Sequence, residues 1–290
     1  MHHLLRSVLY RLLKFPPTYL VGMVMLRLLR MLKNKTYKIK EEFVTIKNFM
    51  GSLKMTVNKN STMGGAIYWY GFHHTSELLY LSKTLKSDMT FVDVGANQGE
   101  FSLYAASLLK KGRVLSFEPT EWQLKLLKEN KQLNNFDNIE IYEYGLLDKN
   151  KELEVFTSND TRTHHGQHEG LSTVYKSDTR NVSEGIIQLK IFDEQHFETL
   201  NRFDVLKIDI EGAELPALRG MEKSIAKFKP VVIIEMGEET FKQAGYSIKD
   251  VDAFFTQFGY SPYKFYRGRL TPIERYSYEG SDNLAFIANK

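Results

Sequence analysis

From residue 90 onward, apolar and polar positions alternate in blocks. Short apolar runs at 91–94 (FVDV), 113–118 (RVLSFE), 139–146 (IEIYEYGL), 203–210 (FDVLKIDI) and 230–236 (PVVIIEM) read as buried strands. Between them, residues 100–110, 121–133, 215–228 and 248–258 carry apolar positions at helical spacing. Strands alternating with helices of this length predict a parallel sheet covered on both faces. The last segment, 260–290, has strand-like ends around a turn-rich middle and predicts an antiparallel hairpin closing the edge of the sheet. Upstream, KEEFVTIKNFMGSLKMTVN alternates enough for two short strands about Gly51. After it, IYWYGFHHTSELLYLSKTL joins an aromatic cluster to a helix from about residue 76. Residues 157–185 are polar and irregular, the pattern of a lid or substrate loop.

The first 35 residues follow a different pattern. Two helical pieces are predicted, broken at Pro16-Pro17 because proline cannot continue a helix from inside. Leu5, Leu9, Leu12 and Leu13 share one helical face, as do Met25, Leu28, Leu29 and Leu32. The longest uncharged run, 15–26, is 12 residues, short of the roughly 20 that cross a bilayer. No small-residue cleavage site follows, which argues against a signal peptide. The chain therefore divides into a basic amphipathic arm (1–35), an accessory segment (36–89) and an α/β domain (90–290).

Charge sharpens this division. The formal net charge is +4, yet residues 1–40 hold nine basic residues and no acid, which leaves 4 − 9 = −5 for residues 41–290. An acidic body excludes a broad nucleic-acid footprint, and a basic amphipathic arm fits an anionic membrane surface. The plainer alternative is an accessory helical layer packed on the domain. With no cysteine in the chain, thiol catalysis and thiolate metal sites are excluded, and a cytoplasmic setting is expected, with the arm peripheral on the inner face of the membrane.

The segment VDVGANQGE then asks for a ligand. In open parallel sheets ligands bind beyond the carboxyl ends of the strands. Gly95 and Gly99 permit close approach of the backbone, but the spacing is not G-x-G-x-x-G, and Asp93 and Glu100 flank the loop. Two carboxylates repel a pyrophosphate and attract a cation, so S-adenosylmethionine fits better than a dinucleotide. Glu118, ending the next strand 25 residues after Asp93, is placed to take ribose hydroxyls.

Four blocks, FVDVGANQGEFSLYAA, VLSFEPTEWQLKLLKENKQLNN, FDVLKIDIEGAELPALRGM and KPVVIIEM, make the chain resemble the FkbM family of S-adenosylmethionine-dependent O-methyltransferases. The resemblance implies a class I, Rossmann-like, seven-stranded sheet and methylation of a hydroxyl, as on a sugar of a polysaccharide or glycolipid. One departure is GFHHTSE (71–77), where the family usually has a Tyr-Glu pair; His73, His74 or Glu77 must then substitute. The candidate donor set is Asp93, Gly95, Asn97, Gly99, Glu118, Pro119 and Gly145.

Methyl transfer is an in-line displacement whose acceptor oxygen needs a base or metal nearby. In VLKIDIEG, Lys207, Asp209 and Glu211 alternate along a strand and so share one side, and Glu235 ends a neighbouring strand. Asp209, Glu235 and Lys207 are the catalytic candidates; Asp209 and Glu235 would be the ligands of any divalent metal. His73, His74, His164, His165 and Glu211 are candidate substrate contacts. The competing readings are a nucleic-acid or small-molecule methyltransferase, and a non-catalytic membrane-associated protein that keeps the fold.

Overall fold

Thr90–Val94 is apolar except for Thr90 and Asp93, and all five residues are buried, so this segment satisfies its backbone by pairing on both sides. It is the third of the described strands and the middle one of the five that run parallel in the main sheet. The computed structural model describes residues 2–35, 42–157, 172–275, 277 and 281–289. Their strands are β1 (Phe43–Phe49), β2 (Leu53–Asn58), β3 (Thr90–Val94), β4 (Arg113–Phe117), β5 (Ile139–Tyr142), β6 (Gly145–Leu146), β7 (Lys151–Thr157), β8 (Val182–Lys190), β9 (Val205–Ile208), β10 (Val231–Gly237), β11 (Tyr260–Tyr266), β12 (Arg269–Pro272) and β13 (Ser281–Ala288).

The main sheet has the order β12-β11-β13-β10-β9-β3-β4-β5. Pairing is parallel from β10 through β9, β3 and β4 to β5. Strand β13 lies antiparallel between β10 and β11, and β12 pairs antiparallel on the outside of β11. The expected parallel core is present. The two strand-like ends of 260–290, β11 and β13, pair antiparallel as expected, with β13 on the inside against β10; the turn-rich middle contributes β12, an outer strand that the sequence reading did not include. Strand β12 makes eight strands where seven were anticipated. Strand order reverses between β3 and β9, so a crevice opens beyond their carboxyl ends.

Two apolar layers cover the sheet. One contains Leu103, Leu109 and Val114 with the N-terminal helices; the other contains Leu206, Phe255 and Phe286, the last two stacked at 4.0 Å. Fully burying side chains of this size contributes roughly 1.5–3 kcal/mol each, which holds the helices on the sheet.

A second, three-stranded sheet of order β6-β8-β7 stands beside the crevice. It corrects two expectations. Residues 139–146 do not form one strand: β5 ends at Tyr142, and β6 pairs with β8 instead. Residues 182–185 belong to β8 rather than to a loop, paired antiparallel with β7.

The arm forms helices His2–Lys14 and Tyr19–Lys35 with a short 3₁₀ turn at Pro16–Thr18, as the paired prolines predict. Leu9, Leu13, Leu26 and Leu29 are buried in the first apolar layer. Arg6 is buried too and donates from Nε to Asn48 Oδ1 at 2.7 Å, tying the arm to β1. At Gly22 a Cβ would come within 2.8 Å of Leu13 Cδ2, so the absent side chain lets the two helices touch. Thr62–Tyr70, an aromatic cluster in the sequence reading, is a helix whose N-cap Ser61 Oγ accepts from Gly64 N at 3.0 Å. Among the described residues no helix is long and apolar enough to cross a membrane.

Candidate active site

The crevice beyond β3, β4 and β9 is a cleft lined by the ends of these strands and by the second sheet. Its floor is the turn after β3. Gly95 and Ala96 both donate to Phe117 O at 3.0 Å, Asn97 N donates to Glu118 Oε2 at 2.8 Å, Gln98 N to Asn97 Oδ1 at 2.8 Å, and Gly99 N to Ala96 O at 2.9 Å. Every amide of the loop is thus spent within the protein. Gly95 has φ +78°, and a Cβ there would lie 2.1 Å from Asp209 O. Only glycine lets the loop lie this close to the end of β9.

Gly95, Asn97, Glu118, Pro119 and Gly145 line the cleft, with Thr120, Gln123 and Thr173, which sequence reasoning missed. Glu118 is buried, and Thr120 donates to its Oε1 from both N (3.0 Å) and Oγ1 (2.5 Å). Burial raises its pKa, and these hydrogen bonds oppose the rise. Gly99 and Asp93 are not among the lining residues. Gly99 instead turns the chain into helix Glu100–Leu108. Asp93 lies in the buried layer beneath the loop, where Ser102 Oγ donates to its Oδ2 at 2.5 Å. Burial pushes its carboxyl up to about 6, against the pull of Lys207.

Lys207 pairs in register with Asp93 and is itself buried. Its Nζ donates to Asp209 Oδ2 at 2.9 Å and sits 5.0 Å from the centre of the Phe101 ring. Burial acts to lower its pKa, but Asp209 and Asp93 outweigh it and the ammonium is held above its ordinary value. Asp209 reaches the cleft. Burial alone would raise it; Lys207 and a hydrogen bond shared with Glu235 bring it down to about 2.

Glu211 also lines the cleft, though not by the strand alternation expected. Strand β9 ends at Ile208, and Glu211 sits in a turn at φ +54°. It pairs with Arg180 at 2.9 Å, and burial, partly offset by Arg180, pushes it up to about 7. Glu211 O accepts from Thr173 Oγ1 at 2.8 Å, so the 172–181 segment is pinned over the cleft through both ends of one residue. Carboxylate oxygens of Asp209, Glu211 and Glu235 lie within 4.8 Å of one another, a spacing a divalent ion could span. Two of the three already face a resident cation, Lys207 on Asp209 and Arg180 on Glu211, which lowers the charge left for a metal.

His73 and His74 take a different position from the one expected of substrate contacts. Glu100 Oε1 accepts from the His73 and His74 backbone amides at 2.5 and 3.2 Å, and Oε2 lies 2.7 Å from His74 Nδ1. Burial would lower the His74 pKa, but Glu100 raises it to about 9. The two histidines and Glu100 are not among the residues lining the cleft. They join the accessory segment to the helix that follows the glycine loop. Glu214 caps its own turn, accepting from Ile210 N and Gly212 N at 2.8 and 2.9 Å. His164 and His165 lie outside the described residues.

Residues 93–262 match the profile of the Methyltransferase FkbM domain. The chain is similar to Methyltransferase 1 of Beauveria bassiana, 27% identical over 168 residues, covering 51% of this chain and 65% of that protein. It is also similar to Methyltransferase sdnD of Sordaria araneosa, 25% identical over 178 residues, covering 53% and 68%. Among solved structures, Methyltransferase FkbM from Methylobacillus flagellatus aligns with a TM-score of 0.47 and 18% identity, over 73% of this chain and 47% of that one.

Proposed function

Because this chain belongs to the FkbM methyltransferase family, we propose that it transfers the methyl group of S-adenosylmethionine to a hydroxyl of a sugar in a polysaccharide or glycolipid. The observation that carries the donor assignment is the glycine loop. All five of its amides donate within the protein, so it has none left for a phosphate, whereas phosphate loops aim theirs at the ligand. The cleft walls carry carboxylates at Glu118, Asp209 and Glu211, which favour a cationic ligand.

Bound there, S-adenosylmethionine supplies an electrophilic methyl on a positively charged sulfur. Asn97, Glu118, Pro119, Thr120 and Gly145 would hold its nucleoside end. Asp209, ionised across the neutral range, accepts a hydrogen bond from the acceptor hydroxyl and aligns its oxygen. Lys207 keeps Asp209 in place and charged. Glu211, at about 7, is matched to take the proton that the hydroxyl loses. Clustered carboxylates also suit an acceptor rich in hydroxyl donors. The acidic body, −5 over residues 41–290, favours a glycan over nucleic acid.

Asp209→Asn tests the reading. Donor affinity in calorimetry should stay within a few-fold, while transfer of a labelled methyl to glycan acceptors falls by about 100-fold. Undiminished turnover in this variant would remove Asp209 from the chemistry. Heat from a nicotinamide dinucleotide and none from S-adenosylmethionine would overturn the donor assignment.

A further inference from the structure

The helical arm has two apolar faces, and the domain uses one. Leu9, Leu13, Leu26 and Leu29 face inward, each at most 5% exposed. Leu20, Val21, Val24, Leu28 and Met31 are 57–64% exposed. At 3.6 residues per turn these five fall within an arc of about 100° on one side of helix Tyr19–Lys35. On helix His2–Lys14, Leu4 and Val8 are 70% and 40% exposed and share a face. Phe15 follows at 58%. Eight of the thirteen large apolar side chains exposed among the described residues therefore lie between residues 4 and 31.

Exposed cations border this surface. Arg11 falls beside the outer arc of the first helix and Arg27 beside that of the second, and Lys14 is exposed at the bend. The nearest acid in the sequence is Glu41. We propose that the outer face of this helical hairpin lies in the surface of a bilayer that carries anionic lipid. Its apolar arc would enter the acyl boundary and its basic rim would meet headgroup phosphates. A second copy of the chain fits less well. A two-fold contact through this face would bring the cations Arg11, Lys14 and Arg27 of one copy against the same set on the other, with no acid in the arm to offset them. The inner face is already committed to the domain, and the Gly22–Leu13 contact holds the two helices as one unit. The hairpin can therefore bind a surface without unfolding from the protein.

The full-length protein should co-sediment with vesicles of phosphatidylcholine mixed with phosphatidylglycerol, far less with phosphatidylcholine alone, and less as salt rises. Arg11→Gln and Arg27→Gln should each weaken binding to the anionic vesicles about fivefold. The triple variant Leu20→Ser/Val24→Ser/Leu28→Ser should weaken it at least about tenfold with an unchanged melting temperature, because all three side chains already face solvent. Three results would overturn the proposal: wild-type protein left in the supernatant with anionic vesicles, the triple variant sedimenting like wild type, or light scattering that finds a dimer which the triple variant dissociates.

Discussion

Replacing Gly95 by alanine should separate two costs that are usually confounded. The first is conformational: at φ +78° an alanine pays about 1–2 kcal/mol, less the 0.4–1 kcal/mol gained by stiffening the unfolded chain. The second is steric. A Cβ 2.1 Å from Asp209 O must retreat to at least 3.0 Å, so the loop and the end of β9 part by about 0.9 Å. That movement strains the Asp209 N to Val94 O bond of 3.1 Å and the Asn97 N to Glu118 bond of 2.8 Å. At roughly 1 kcal/mol per hydrogen bond, the total comes to about 3 kcal/mol. Gly245 is the natural control: its φ is +85°, yet nothing lies within 4 Å of a Cβ built there. Gly245→Ala should therefore show the conformational cost alone, a loss of about 1 kcal/mol. In thermal melts, Gly95→Ala should fall by roughly 6–10 °C and Gly245→Ala by roughly 2–4 °C. Calorimetry with S-adenosylmethionine should show donor binding lost in the first and kept in the second. Equal melting temperatures together with wild-type donor affinity in Gly95→Ala would refute the steric argument.

Two further outcomes depend on titration. With Glu211 near 7 and active only when deprotonated, kcat/KM for methyl transfer should rise with pH through that value; Glu211→Gln should lower the rate and flatten the profile, and a rise that survives the substitution would assign the proton to another group. His74 is near 9 when folded against 6.5 as an ordinary histidine, so the folded state holds its proton more tightly. Its contribution, on the order of 3 kcal/mol, is fully present below pH 6.5 and is lost as pH rises through about 9. Glu100→Gln, which keeps an acceptor for the His73 and His74 amides, should narrow the gap between melts at the two ends of that window; an unchanged gap would show that the pair does not couple to folding.

Much of the scaffold was legible because buried parallel strands leave nearly continuous apolar runs, as at β3, β9 and β10. The glycine loop and Glu118 were legible for the same reason: their places at strand ends are set by where those runs stop. The pair β7 and β8 was missed because KELEVFT buries only two of its seven residues and VSEGIIQLK opens on five exposed ones, so the start of β8 read as polar loop. Asp93 was expected in the donor set; its place beneath the loop, opposite Lys207 114 positions on, follows from strand register that the sequence does not display. Glu100 and His74 likewise meet only through tertiary packing. In the arm the sequence pattern assigned each helix one apolar face and put Leu28 with Leu29; docking on the domain buries Leu29 and leaves Leu28 outside, so only docking separates an inner stripe from an outer one.

Inserting β13 between β10 and β11 has a consequence for how the protein is made. Until residues 281–288 leave the ribosome, two strands rich in β-branched and aromatic residues present bare hydrogen-bonding edges to each other and to other nascent chains. Shortening the chain by this one strand would remove an interior strand rather than a marginal one, so deleting 281–288 should yield aggregates and not a smaller folded domain.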